Sequence, residues 1–210
     1  MKKGIIFDMD GTLWDSAEKV AESWQLVLEE AGYKGHSITV EDMKSVMGKT
    51  MTVIGDILFS FVTGDERARL LKECCEKEND YLREHGGSLY PKLRETMEQL
   101  KKDYHLYIVS NCQAGYIEAF LDYYGFGDLF EDTLCFGDNG LEKAENIRLI
   151  CEKNQLDDAV YVGDIQGDYD ATMKAGKKFI HAAYGFGVID HPVPSVQCLE
   201  ELLSRVPEVL

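Results

Sequence analysis

Asp8-Met9-Asp10-Gly11-Thr12 follows the apolar run Gly4-Ile5-Ile6-Phe7, and this junction decides the reading of the chain. The run predicts a buried strand over residues 4–8. It opens into a loop carrying two carboxylates two positions apart, with Gly11 free to turn the backbone sharply. In an open α/β sheet ligands bind outside the carboxyl ends of the strands. A lone Asp-Gly is a turn signal, but a turn accounts for Asp10 and not for Asp8. Two carboxylates at a strand end repel each other unless a positive charge lies between them. Hard divalent cations such as Mg²⁺ favour oxygen ligands of this kind.

Three further polar clusters follow apolar runs. Ser110-Asn111 ends Leu106-Tyr107-Ile108-Val109, and Lys143 closes the loop after Thr133-Leu134-Cys135-Phe136. Gly163-Asp164 and Asp168 follow Ala159-Val160-Tyr161-Val162. Singly these are a turn, a solvated lysine and a loop start. Together they supply a nucleophile, a hydroxyl donor, a cation and a second acidic pair at one edge of one sheet.

With these residues in this order, the chain resembles the haloacid dehalogenase-like hydrolase superfamily, on its phosphoglycolate phosphatase-like and phosphoglucomutase-like branch. Asp8 through Leu13 is similar to the first motif, Ser110 to the second, Lys143 to the third, and Gly163-Asp164 with Asp168 to the fourth. One departure stands out: the family's lysine is often followed by proline, and here Ala144 follows.

The resemblance implies Asp8 as nucleophile and Asp10 as general acid and base. It implies Ser110 and Lys143 against the phosphoryl group, with Thr12 and Asn111 as further substrate contacts. Mg²⁺ would be held by Asp8, the Asp10 carbonyl and Asp164, with Asp168 orienting Lys143 or a metal-bound water. Family members that cleave carbon–halogen or carbon–phosphorus bonds usually lack the second aspartate, so Asp10 points to phosphate monoesters. The expected activity is Mg²⁺-dependent hydrolysis of a small phosphorylated metabolite through a phospho-aspartyl intermediate. A phosphosugar mutase of the β-phosphoglucomutase type is the alternative. A receiver-like signalling domain is disfavoured, because its acidic pair precedes the phospho-accepting aspartate and it has no long insertion. A catalytically dead phosphate-binding protein is disfavoured because every catalytic group is present.

The chain has 210 residues, 45% of them hydrophobic, enough for one sizeable core with a small accessory domain. A formal net charge of −16 disfavours nucleic acid and anionic membranes as partners. No apolar run reaches the length of a membrane span, and the apolar start is cut at Asp8, short of a signal sequence. A cytoplasmic monomer or weak dimer is expected. The six cysteines show neither C-x-x-C nor zinc spacing, so they read as free thiols in a reducing compartment.

Further strands are expected at 105–110, 133–136, 159–163 and 178–183. Helical patterns between most of them predict a Rossmann-like, doubly wound parallel sheet. The gap from the first strand to the second is far longer than a crossover. Residues 16–87 read as an inserted helical-bundle cap, with 1–15 and 88–210 as the α/β core. Its helices start after Asp15 with Glu18 in the first turn, run from Met43 to Phe61, and restart at a Thr63/Glu66 capping box. The last of them carries Leu70, Leu71, Cys74, Glu78, Tyr81 and Leu82. Gly48-Lys49-Thr50 lacks the first glycine of a P-loop, since Met43 stands there. By resemblance it is a cap loop that brings Lys49 to the substrate, whereas the residues alone read equally well as an interhelical turn with a solvated lysine. Tyr184-Gly185-Phe186-Gly187 reads as a loop near the site.

Overall fold

The computed structural model describes residues 1–210. A parallel sheet of six strands has the order β5-β4-β1-β6-β7-β8. Its strands are β1 (Lys3–Phe7), β4 (His105–Ser110), β5 (Asp132–Cys135), β6 (Asp158–Gly163), β7 (Lys178–Ala182) and β8 (Ser195–Val196). β1 lies inside the sheet, and Ile5, Ile6 and Phe7 are fully buried, as expected for a strand covered on both faces. Helices α5 (Leu93–Leu100), α6 (Tyr116–Tyr124), α8 (Lys143–Lys153), α9 (Gln166–Ala175) and α10 (Leu202–Val209) join or follow the strands. A short turn, α7 (Phe136–Asn139), follows β5. Winding runs from β1 outward through β4 to β5, then from β6 to β8 on the other side, so the direction reverses beside β1. Phe7 pairs with Ile108 of β4 and Val162 of β6. This register places the loops after all three strands side by side.

The long gap is helical. Chain leaves the core through β2 (Trp14–Asp15) and returns through β3 (Ser88–Leu89), which pair antiparallel. Between them lie α1 (Ala17–Glu30), α2 (Val40–Val46), α3 (Met51–Leu58) and α4 (Gly64–His85). Leu70, Cys74, Glu78 and Leu82 form the buried stripe of α4, while Trp24 stacks on Phe59 with ring centroids 5.3 Å apart. Trp14 is buried at the junction against Tyr116, Phe120 and Tyr124.

Several local expectations are corrected. The helical segment from Met43 to Phe61 is two helices, broken where Gly48 takes a φ of +79°. Thr63 starts α4 without a side-chain cap, and Glu66 accepts a hydrogen bond from Tyr33 instead. Ser16 directly precedes α1 and spends its hydroxyl on Asp10, while Asp15 Oδ1 accepts the Ala17 amide at the helix start, as expected. Cys75 and Cys198 are half-buried, while the other four thiols are buried; all six are free.

Candidate active site

Asp8 is the first residue beyond β1, and its amide donates to the Val162 carbonyl. The extended hydrogen bonding thus persists one residue further and fixes the side chain between β4 and β6. Lys143 begins α8, where it is 4% exposed and donates to Asp8 Oδ1 at 2.9 Å and Asp168 Oδ1 at 2.6 Å. The other Asp168 oxygen accepts the amides of Asp164 and Ile165 at the start of α9. Asp168 therefore has both oxygens engaged, and it holds Lys143 against Asp8. Burial opposes the Lys143 charge, but Asp168 and Asp8 together hold its affinity for the proton above that of an ordinary lysine.

Asp8, Asp164 and Asp168 bring carboxylate oxygens within 4.8 Å of one another. One ammonium faces three carboxylates, so the cluster has an excess of negative charge. Burial first, then Asp168, pushes the Asp8 carboxyl up to about 7. Burial, then Asp168 and Asp8, pushes Asp164 up to about 8. Asp164 Oδ2 accepts the Phe186 amide at 2.7 Å, whereas its Oδ1 is buried with no partner. An orphaned carboxylate oxygen beside an undercompensated acidic group fits a hard divalent cation. The surrounding backbone is shaped to this carboxylate. Gly11 has a φ of +81°, and a Cβ there would lie 2.0 Å from Asp164 Oδ2. Gly185 presses from the other side, where a Cβ would meet the Gly11 carbonyl at 2.3 Å. The loop 184–187 thus helps wall the site, as its sequence position suggested.

Asp10 is not part of this three-carboxylate cluster. Its Oδ1 lies 2.6 Å from Ser16 Oγ and 2.7 Å from the Tyr116 hydroxyl. Burial raises it to about 6, against the lowering effect of those two contacts. Such a carboxyl can hold or release a proton near neutrality.

Asp8, Asp10, Ser110, Asn111 and Lys49 line one pocket between the sheet edge and the helical insertion. Lys49 is exposed at its rim. Asn111 donates to the Gly48 carbonyl at 2.8 Å, so it docks the α2–α3 loop on the core. Thr12 is fully buried: its carbonyl accepts the Tyr184 hydroxyl, and its own Oγ1 has no hydrogen-bond partner. Ser110 and Tyr116 are the hydroxyl-bearing residues in the pocket lining. The sequence reading missed Ser16 and Tyr116 beside Asp10, and Glu78, Trp24 and Gln113 in the lining. Only Glu78 left a signal, an acid within the apolar stripe of α4. The pocket is partly open to solvent, and its water-accessible space is about 30 Å³.

This sheet and site define a known class. The family model for haloacid dehalogenase-like hydrolases matches residues 5–182, and the chain belongs to that family. A curated relative, the phosphoglycolate phosphatase of Aliivibrio fischeri, is 28% identical over 88% of this chain and 85% of its own. The fold is shared with a Bacteroides fragilis protein solved as a haloacid dehalogenase-like hydrolase, with a TM-score of 0.82 and 24% identity over 96% of this chain and all of that one. It is shared too with the β-phosphoglucomutase of Clostridium difficile, with a TM-score of 0.77 and 16% identity over 99% of this chain and 96% of that one.

Proposed function

We propose that the chain is a Mg²⁺-dependent phosphatase of a small phosphate monoester, working through a phospho-aspartyl intermediate on Asp8. The observation that carries this reading is the pairing of Asp8, held by Lys143, with a separate Asp10 of raised proton affinity at the same loop. In this reading Asp8 attacks phosphorus and the ester oxygen leaves. Asp10 gives that oxygen its proton, then recovers one from the water that hydrolyses the intermediate. Ser110 donates to a phosphoryl oxygen, and Lys143 offsets the charge of nucleophile and phosphate. Asp8, Asp164 and the Asp10 carbonyl would hold the cation, which supplies charge neutralisation at the phosphoryl oxygens. Asp168 keeps Lys143 in place.

Residues 16–87 serve as a cap over the 1–15 and 88–210 core, with β2 and β3 as the two hinge strands. Movement of the cap about these strands would admit substrate and close over it. Lys49 then meets substrate from the cap side. Conversion of p-nitrophenyl phosphate by the full chain tests the reading. Release of nitrophenol should require Mg²⁺ and stop with EDTA, and turnover unchanged by EDTA rules out the metal assignment. The shared fold with a phosphoglucomutase keeps mutase activity as the second reading. It is read as glucose 6-phosphate formed from β-glucose 1-phosphate, compared with free phosphate released.

A further inference from the structure

We propose that Glu78 is a specificity residue. Its carboxylate, delivered by the cap helix α4, receives a hydrogen-bond donor on the leaving group, a hydroxyl or an ammonium. It turns away phosphate esters whose leaving group carries a carboxylate. The proposal rests on the phosphatase reading above and names its substrate class.

Glu78 is 3% exposed and lines the same pocket as Asp8 and Asp10. It stands four residues from both Cys74 and Leu82 in the buried stripe of α4. An apolar side chain at that position would pack the cap without desolvating a carboxyl group. Trp24 Nε1 donates to Glu78 Oε2 at 2.5 Å and fixes the group toward the pocket. Its other neighbours in the lining include Met43, Val46 and Ile54. Burial raises the Glu78 carboxyl to about 7, against the donors Gln113 and Trp24, with Asp10 adding to the rise, so it is mainly the ionised acceptor above that pH, where the test is run.

The position of Glu78 is set from both sides of the pocket. Asn79, its neighbour in α4, donates to the Ala114 carbonyl at 2.8 Å and accepts from Gln113 at 3.0 Å. Arg83 donates to the Gly115 carbonyl. These contacts tie α4 to the loop after β4, the strand that ends in Ser110. With the phosphoryl group between Asp8 and Ser110 and the leaving oxygen at Asp10, the rest of the substrate lies against the cap. There it meets an acceptor. A substrate carboxylate would bring a third acid beside Glu78 and Asp10, while Lys49, the lysine that meets substrate from the cap side, is itself exposed and so offsets that charge only weakly.

The test measures kcat/KM of the full chain with Mg²⁺ on 2-hydroxyethyl phosphate, O-phosphoethanolamine, 2-phosphoglycolate and p-nitrophenyl phosphate. The wild type should favour one of the first two over 2-phosphoglycolate by about tenfold or more, since like-charge juxtaposition in a desolvated contact is costly. Glu78→Gln keeps the shape and an acceptor for Trp24. It should close most of that gap by raising 2-phosphoglycolate relative to p-nitrophenyl phosphate. A selective loss of O-phosphoethanolamine in Glu78→Gln identifies the donor as ammonium, and its retention identifies a hydroxyl. A wild type that prefers 2-phosphoglycolate overturns the proposal, as does an equal loss on all four esters. If Glu78→Gln fails to fold by circular dichroism, the wild-type ranking decides alone. Absence of p-nitrophenol release by the wild type strikes the phosphatase reading itself.

Discussion

At the scale of single residues, the two aspartates of one loop occupy opposite environments. Asp8 faces Lys143 and the acidic cluster, while Asp10 is held by Ser16 and Tyr116. In the proposed mechanism, environment thus divides nucleophile from proton carrier. The division predicts a dependence on leaving group. Asp10→Asn should slow an alkyl phosphate by about 10²–10⁴-fold, the usual range for a positioned acid or base. Formation of the intermediate from p-nitrophenyl phosphate should suffer far less, because nitrophenolate leaves without a proton. Pre-steady-state bursts on the two esters read this, and equal losses in the burst step would remove Asp10 from the role of acid.

At the scale of elements, the main strands were legible because each is a short apolar run stopped by a polar residue. Ile5 to Phe7 and Val160 to Val162 are buried on both faces. Asp8, Ser110, Lys143 and Asp164 follow those runs, so the core of the candidate site was legible too. The two-residue strands β2, β3 and β8 carry no period to read. The Thr63/Glu66 pattern failed as a cap because Glu66 pairs with Tyr33, a contact between helices that spacing along the chain cannot encode. Ser16, Tyr116 and Gln113 were invisible for the same reason.

The contacts between α4 and the loop after β4 belong to this scale. Asn79→Ala removes both hydrogen bonds that Asn79 makes to that loop. At about 0.5–1.5 kcal/mol each, their loss should shift the cap toward the open form and raise KM several-fold while kcat changes less. An unchanged KM would mean that these bonds are replaced by water at no cost.

At the scale of the whole molecule, the acidic cluster couples stability to pH and, in the proposed function, to metal. Asp8 and Asp164 have folded proton affinities near 7 and 8, against a reference value of 3.8. The metal-free fold therefore binds these protons more tightly than the unfolded chain does. The stabilisation this gives is fully present below about pH 4 and is lost as pH rises through 7 to 8. The net charge of −16 adds repulsion in the same direction. Mg²⁺ competes with the protons, so its stabilising effect should grow with pH. Saturating Mg²⁺ should raise the Tm by several degrees more at pH 8 than at pH 5, with roughly 2–4 °C expected per kcal/mol in a chain of this size. Asp164→Asn should abolish most of that difference. Equal Mg²⁺ effects at both pH values would contradict a metal held by these carboxylates.

The covalent role proposed for Asp8 can be read by chemical trapping. Borohydride reduces an aspartyl phosphate to homoserine. Enzyme quenched during turnover of p-nitrophenyl phosphate with Mg²⁺, reduced and analysed by peptide mass spectrometry should carry homoserine at position 8. The modification should vanish without substrate and in Asp8→Asn. Phosphate found on Ser110, or no modification at position 8 while turnover proceeds through a burst, would contradict the account.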